Sequence, residues 1–360
     1  MKTLLFTLEY PPFHGGVANY YGNLAKYWPI SEKMSILNND KGELSRGTGF
    51  FSWWPALFSL YRKLSREEFE SLLVGQILPL GTVAYLISRL IPIKYTVFLH
   101  GMDFALAIKT PWKQFLSKLI LRRADKIICA NSYVRDRLIE FLPESSIKTR
   151  IVNPGIEGGA PEIDAKDIAE IKNEYHLENK TVLLSLGRLV KRKGVDMTID
   201  ALALIPEEES KNLMYFIAGA GPREEFLKKL VPPRLLDKII FLGSLNDQEK
   251  WTWLKICDIF VMPSRDISGD FEGFGIVYLE ANLSGKPVIA GNSGGVRDAV
   301  VDGVTGIMVD PERIEEIKET IVTLVKNPEL RNKLGHDGKM RAMEDFDWEN
   351  QAIKVWQFIK

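Results

Sequence analysis

The sequence predicts an α/β protein of two parallel-sheet domains, and three observations lead there. At 360 residues the chain has the length of two domains, each of roughly 150 residues. Short apolar runs of strand character alternate with stretches of helical spacing through the first half, and that alternation argues for a parallel sheet. The pattern then restarts at Thr181-Val182-Leu183-Leu184-Ser185-Leu186-Gly187, after Gly158-Gly159-Ala160-Pro161, which reads as a linker.

Composition narrows the function classes. Hydrophobic residues make up 46% and charged residues 26%, ordinary values for a soluble globular chain. The 47 basic and 47 acidic residues balance to a formal net charge of zero, so nothing favours bulk nucleic acid as a partner. Met1 to Leu8 is too short an apolar run for a signal peptide, and Glu9, Pro11 and Pro12 follow it. No run approaches the length of a membrane span. Cys129 and Cys257 are far apart and each lies in an apolar run, which points to core residues in a reducing, cytoplasmic setting and not to a metal site.

The first half reads in order as follows. Thr3–Leu8 is a candidate buried strand, followed by Pro11-Pro12-Phe13-His14-Gly15-Gly16 and a helix over 17–25. Strand, Gly-Gly loop and helix is a layout that can hold phosphate, because glycines let the backbone approach an anion and the helix N-terminus faces it. The plainer reading is a tight turn, and the spacing does not match the G-x-G-x-x-G fingerprint. Met34–Leu37 is a second strand, and residues 39–49 are a polar loop. The stretch 51–64 is aromatic and ends basic; it fits a membrane-surface helix, but a helix packed on the sheet is the favoured reading. Strands near 72–76, 94–99 and 126–130 alternate with helices near 80–90, 112–123 and 132–142. His100 stands at a strand end before Gly101, where ligands bind in open α/β sheets. A structural histidine is the plainer alternative.

In the second half, Gly187-Arg188-Leu189-Val190-Lys191-Arg192-Lys193-Gly194 places four cations after a strand, either a pyrophosphate clamp or a solvated loop. Strands at 213–218 and 239–245 end in Gly219-Ala220-Gly221 and Gly243. A strand over 256–262 leads into 263–271, a long approach with no assigned role. Val288–Ala290 is a strand, residues 291–296 and 302–306 are loops, and helices are expected near 312–326, 328–342 and 347–358.

The stretch Glu272-Gly273-Phe274-Gly275-Ile276-Val277-Tyr278-Leu279-Glu280-Ala281 carries the most chemistry. Ile276, Leu279 and Leu283 fall at helical spacing. Glu272 then sits on the loop before a helix and Glu280 on its second turn, so both carboxylates can point toward one end of a cleft. The loop and helix start also offer backbone N–H groups to an anion. A buried helix with one capping and one solvated Glu is the plainer alternative.

Glu-Gly-Phe-Gly, seven residues between the two Glu, and Gly285-Lys286-Pro287-Val288-Ile289-Ala290 together resemble the signature of retaining nucleotide-sugar glycosyltransferases, specifically glycosyltransferase family 4. The resemblance spans essentially the whole chain and implies a B-type fold, two doubly wound domains facing each other across a cleft, without an essential metal or cofactor. It implies an acceptor-side domain over 1–153, joined by a last helix at about 344–360, and a nucleotide-sugar-binding domain over 154–343. It places Gly15, Gly16, Arg188, Lys193 and Gly275 at the donor diphosphate, and singles out Arg188 and Lys193 over Lys191 and Arg192. Glu280 is expected on the ribose, Gly219, Gly221, Gly243 and Leu245 beside the base, and Glu272 and His100 at the transferred sugar. The implied reaction is sugar transfer from a nucleotide diphosphate sugar to a glycan, lipid-linked or small-molecule hydroxyl, with the leaving phosphate taking the acceptor proton. Cytoplasmic placement, with or without peripheral membrane contact, and no nucleic acid partner complete the expectation. A nucleotide-sugar epimerase, a sugar phosphorylase of the same fold and a non-catalytic nucleotide-sugar-binding scaffold are the alternatives; product analysis and turnover separate them.

Overall fold

The computed structural model describes residues 1–13, 15–29, 32–40, 42–45 and 52–360. His14, Phe51 and much of the 39–49 loop named above therefore lie outside the described residues. The chain divides into two compact units, Met1–Gly155 with Asp347–Lys360, and Ile156–Phe346.

The first unit is built on six parallel strands: β1 (Lys2–Phe6), β2 (Lys33–Leu37), β3 (Ser71–Val74), β4 (Lys94–Leu99), β5 (Lys126–Cys129) and β6 (Thr149–Ile151). Their order is β2-β1-β3-β4-β5-β6. The inner strands β1, β3, β4 and β5 are buried along most of their length because both faces of the sheet are covered. Phe6, Val74, Leu99 and Cys129 point into a core with helices Trp54–Arg66, Leu80–Ile87 and Pro111–Arg123. Their neighbours Leu5, Leu73, Phe98 and Ile128 point the other way, into a core shared with helices Gly16–Lys26 and Trp348–Ile359.

The second unit repeats the plan with β7 (Thr181–Leu186), β8 (Leu213–Ala218), β9 (Ile239–Gly243), β10 (Ile259–Met262), β11 (Val288–Gly291) and β12 (Gly306–Val309), in the order β12-β11-β10-β7-β8-β9, all parallel. Leu184, Phe216, Phe260 and Ala290 lie in one core, and Leu183, Tyr215, Val261 and Ile289 in the other. Both units are doubly wound, as the alternation of strands and helices predicts.

Three local readings change. Residues 256–258 are not strand: Ile256 ends the helix Asp247–Ile256, which a reciprocal capping box between Asn246 and Glu249 starts. Gly306 opens β12 and does not close a loop, because its backbone packs so tightly on Val288 that a Cβ there would overlap the Val288 carbonyl. The aromatic stretch forms the helix Trp54–Arg66, which buries Ala56 and Leu60 but leaves Trp54, Phe58 and Tyr61 exposed by 61%, 65% and 48%. Packing on the sheet is thus half of its account.

Candidate active site

Strand order locates the site in the second unit. In the second sheet the chain runs outward from β7 to β9 on one side and returns to run outward from β10 to β12 on the other. Ligands in open α/β sheets bind at the carboxyl ends of the strands where the order reverses, here between β7 and β10. The basic loop leaves β7, and the 263–272 segment leaves β10.

These two loops are locked together. Gly194 takes a left-handed conformation at φ 72°, and a Cβ there would overlap the Pro263 carbonyl. The Arg265 N–H donates to the Arg192 carbonyl at 2.8 Å. The Arg265 guanidinium, 5% exposed, pairs with Asp196 at 2.6 Å. The long approach over 263–271 therefore has a structural role: it is the support on which the basic loop rests. A turn closed by Ile267 and Asp270 carries the chain on to Glu272.

Within this frame the cations separate into two kinds. Lys193 Nζ lies 2.6 Å from Glu272 Oε2, each side chain only 12% exposed. Arg192 donates to Asp270 at 3.1 Å and holds its Nε 4.0 Å from Glu272. Arg188 and Lys191 are exposed. The Lys193 ammonium lies against Gly187 at the end of β7, 3.7 Å from where a Cβ would stand.

Glu272 is fixed through its backbone. Gly295 N–H donates to the Glu272 carbonyl at 2.9 Å, and Gly294, at φ 57°, approaches the same oxygen. Gly275, at φ 80°, precedes the helix Ile276–Leu283, whose first turn has no side-chain cap. A Cβ at Gly275 would collide with the Tyr278 ring, and Tyr278 in turn donates to the Met262 carbonyl at 2.6 Å. Glu280 accepts from Lys250 at 2.8 Å. Partial burial pulls the Lys250 ammonium down, the Glu280 and Asp247 carboxylates push it up, and the net position is raised.

The glycines assigned to the base region do internal work. A Cβ at Gly219 would overlap the Gly187 carbonyl, and one at Gly221 the Leu189 backbone. Leu189 N–H donates to Ala220 at 3.0 Å, so the loops after β7 and β8 pack backbone against backbone. Gly243 adopts φ 71°; a Cβ there would meet no protein atom, and its carbonyl accepts from Gly219 at 2.6 Å. Leu245 lies beyond the end of β9, partly buried against the core.

In the first unit, His100 follows β4 and sits among aromatic rings, with centroids 5.0 Å from Tyr20, 5.2 Å from Tyr21 and 6.3 Å from Phe98. Its Nε2 lies 2.7 Å from Tyr21 Oη, and that hydroxyl also donates to the Gly75 carbonyl at 2.7 Å. A tyrosine has one proton to give, so the imidazole must donate from Nε2. Nδ1 is then the acceptor. Burial pushes the ring down to about 4. An unfolded imidazole takes up its proton near pH 6.5, so this site loses stability as pH falls from 6.5 toward 4. Asp103, which accepts from the His100 and Gly101 N–H groups at 2.9 Å, is pushed up to about 6 by its own burial and acts with the opposite sign over the same window. Global melting therefore reads the sum, and the ring must be read alone. In a pH titration by nuclear magnetic resonance, the His100 ring should stay neutral with its proton on Nε2 from pH 8 to 5; protonation near 6.5 would contradict the packing account.

Gly15 and Gly16 start the helix Gly16–Lys26, again with no side-chain cap, and a Cβ at Gly16 would meet no protein atom. The structure thus brings Lys193 and Glu272 into contact and leaves Arg188 exposed. It also joins Glu280 to a lysine the sequence reading did not name. Lys250, Asp270, Arg265 and Tyr21 were missed because each acts through a partner remote in sequence.

Comparison with known proteins bears on the family and the fold. Residues 42–157 match the model described as Glycosyltransferase Family 4, and residues 167–341 the one described as Glycosyl transferases group 1. Together the two models span most of the chain, which is a glycosyltransferase. It is similar to the GDP-mannose-dependent alpha-(1-6)-phosphatidylinositol monomannoside mannosyltransferase of Mycolicibacterium smegmatis, 27% identical over 99% of this chain and 97% of that protein. Its fold is similar to that of a glycosyltransferase from Rickettsia africae, with TM-score 0.82, 18% identity and coverage of 100% and 98%. It is also similar to Anabaena HepE in complex with UDP, with TM-score 0.79, 19% identity and 99% of both chains covered.

Proposed function

We propose that the enzyme takes a sugar from a nucleoside diphosphate donor and transfers it, with retention of configuration, to an acceptor hydroxyl. The observation that carries this reading is the contact of Lys193 with Glu272 at the carboxyl end of β7. A departing nucleoside diphosphate gathers negative charge, and the sugar ring gains positive character. A cation and a carboxylate one hydrogen-bond length apart match those two charges at the bond that breaks. Lys193 and Arg188, with backbone N–H groups around Gly16 and Gly275, are assigned to the diphosphate, Glu280 to the ribose, and the loops at Gly219, Gly221, Gly243 and Leu245 to the base. Glu272 and the Nδ1 acceptor of His100 are assigned to the sugar hydroxyls. The leaving phosphate takes the acceptor proton. Because the Mycolicibacterium relative is named as GDP-mannose-dependent, GDP-mannose is the first donor to test, and UDP-glucose the second. Incubating the enzyme with each donor and a panel of lipid and sugar acceptors should release the nucleoside diphosphate with formation of an α-linked product. Failure of every nucleotide sugar to be turned over or to raise the melting temperature would overturn the proposal.

The first unit, with its last helix, is assigned to the acceptor, and a lipid-linked acceptor on the cytoplasmic face of a membrane fits its surface. No helix among the described residues is long and apolar enough to cross a membrane. The helix Trp54–Arg66, however, exposes Trp54, Phe58 and Tyr61 beside Arg62 and Arg66, a composition suited to the headgroup region of anionic lipid. Vesicles rich in phosphatidylglycerol should sediment the enzyme, and Trp54→Ser with Phe58→Ser should weaken that binding about tenfold. Equal binding by the double variant would remove this helix from the acceptor account.

A further inference from the structure

We infer that Glu272 is a specificity determinant that holds off the sugar-free nucleotide and admits the intact donor, by competing with phosphate for Lys193. The inference rests on the donor-site reading above and deepens it. Lys193 is not idle: its ammonium is engaged by Glu272 at 2.6 Å, with both side chains 12% exposed. Arg192 is likewise engaged by Asp270 and stands 4.0 Å from Glu272. Two of the four cations of the loop are thus matched to two carboxylates of the segment after β10.

A ligand that offers phosphate alone must take Lys193 away from Glu272. It leaves that carboxylate in a largely buried place, without its partner and close to the incoming negative charge. A ligand that brings phosphate and sugar together replaces both halves of the pair. Lys193 turns to the phosphate oxygens, and Glu272 accepts hydrogen bonds from sugar hydroxyls, so neither group is left unmatched. The same contrast acts after transfer. Once the sugar has left with the acceptor, Glu272 loses its new partners, reclaims Lys193 and weakens the hold on the nucleoside diphosphate. The backbone supports this role. The Gly295 N–H and the close approach of Gly294 fix the Glu272 main chain, while Gly194 and Pro263 fix the lysine loop. The exchange therefore needs only side-chain movement.

The test is a calorimetric double-mutant cycle on the full chain, with inorganic pyrophosphate, GDP and UDP as the sugar-free probes and GDP-mannose and UDP-glucose as donors. Glu272→Gln keeps the shape and removes the charge. It should tighten pyrophosphate and the matching nucleoside diphosphate on the order of tenfold, and weaken the matching donor relative to that diphosphate. In a Lys193→Met background the same substitution should have little effect on the sugar-free probes, because the competition it relieves is gone. Asp270→Asn removes a nearby carboxylate of similar charge but leaves the Lys193 pair intact. It should tighten the probes less than Glu272→Gln does, which separates competition from a general loss of negative charge. If Glu272→Gln does not fold, Glu272→Asp, whose carboxylate is one methylene shorter, should show the same direction. Lys193→Met weakening pyrophosphate while neither Glu272 variant tightens it would overturn the competition and leave the donor site standing. No binding of pyrophosphate or nucleotide by any form would overturn both.

Discussion

Replacing Lys193 with Ala should lower kcat/KM for the true donor by roughly 10²–10³-fold, the largest loss expected from any single charge in the loop after β7. Two effects of one sign combine. The substitution removes a cation placed against Gly187 at the end of the strand, where a charge-assisted contact to phosphate is strongest because little water competes. It also strands Glu272, only 12% exposed, as a carboxylate without its 2.6 Å partner, beside the proposed phosphate position. Arg188→Ala serves as the comparison. Its guanidinium is exposed, so its contribution is screened, and a loss below about tenfold is expected. Steady-state kinetics with the donor, alongside calorimetry with the diphosphate, checks the ordering. A Lys193→Ala enzyme within threefold of wild type, or an Arg188→Ala loss greater than that of Lys193→Ala, would show that the phosphate is held elsewhere.

Much of this architecture was legible in the chain because parallel sheets covered on both faces read as short, wholly apolar runs. Leu4-Leu5-Phe6, Leu72-Leu73-Val74 and Ile127-Ile128-Cys129 are such runs, and all are strands. The placement of Glu272 before a helix and Glu280 on its second turn was legible from spacing alone, and the strand-end position of His100 from the apolar run before it. Pairing was not legible. Lys193 meets Glu272, Lys250 meets Glu280 and Tyr21 meets His100 only because the fold brings distant segments together. No local pattern in the sequence encodes those meetings. The glycines were legible as glycines, but the close approach of Gly219 and Gly221 to the backbone of residues 187–189, which also requires them, was not. Four-residue β12 was missed because its first residue is Gly306, which reads as a turn when its close packing on Val288 is not visible.

A second large effect is expected at a residue that carries no charge, Gly335. The helix Pro328–Asp345 packs on the helix Ile276–Leu283, which carries Glu280 and follows the loop of Glu272. Contact is so close that a Cβ at Gly335 would overlap the Gly285 carbonyl oxygen, and one at Gly338 would overlap the Asn282 amide. Neither neighbour can yield easily. Gly285 is main chain, and its N–H is bonded to the Asn282 carbonyl at 2.7 Å. The Asn282 amide donates to the Lys286 and Thr305 carbonyls at 2.9 and 3.0 Å. In an exposed helix, Gly→Ala stabilises by about 1 kcal/mol. Here the sign should reverse, because one added methyl group has to push two helices apart. Gly335→Ala should destabilise the second unit by about 2–4 kcal/mol and lower activity through the displaced Glu280 helix. Lys339→Ala, an exposed change on the same helix, should stay within about 0.5 kcal/mol of wild type. Thermal and urea unfolding of the two variants decides the matter. A Gly335→Ala protein that melts at or above the wild-type temperature would mean that the two helices are not in the close contact that positions Glu280.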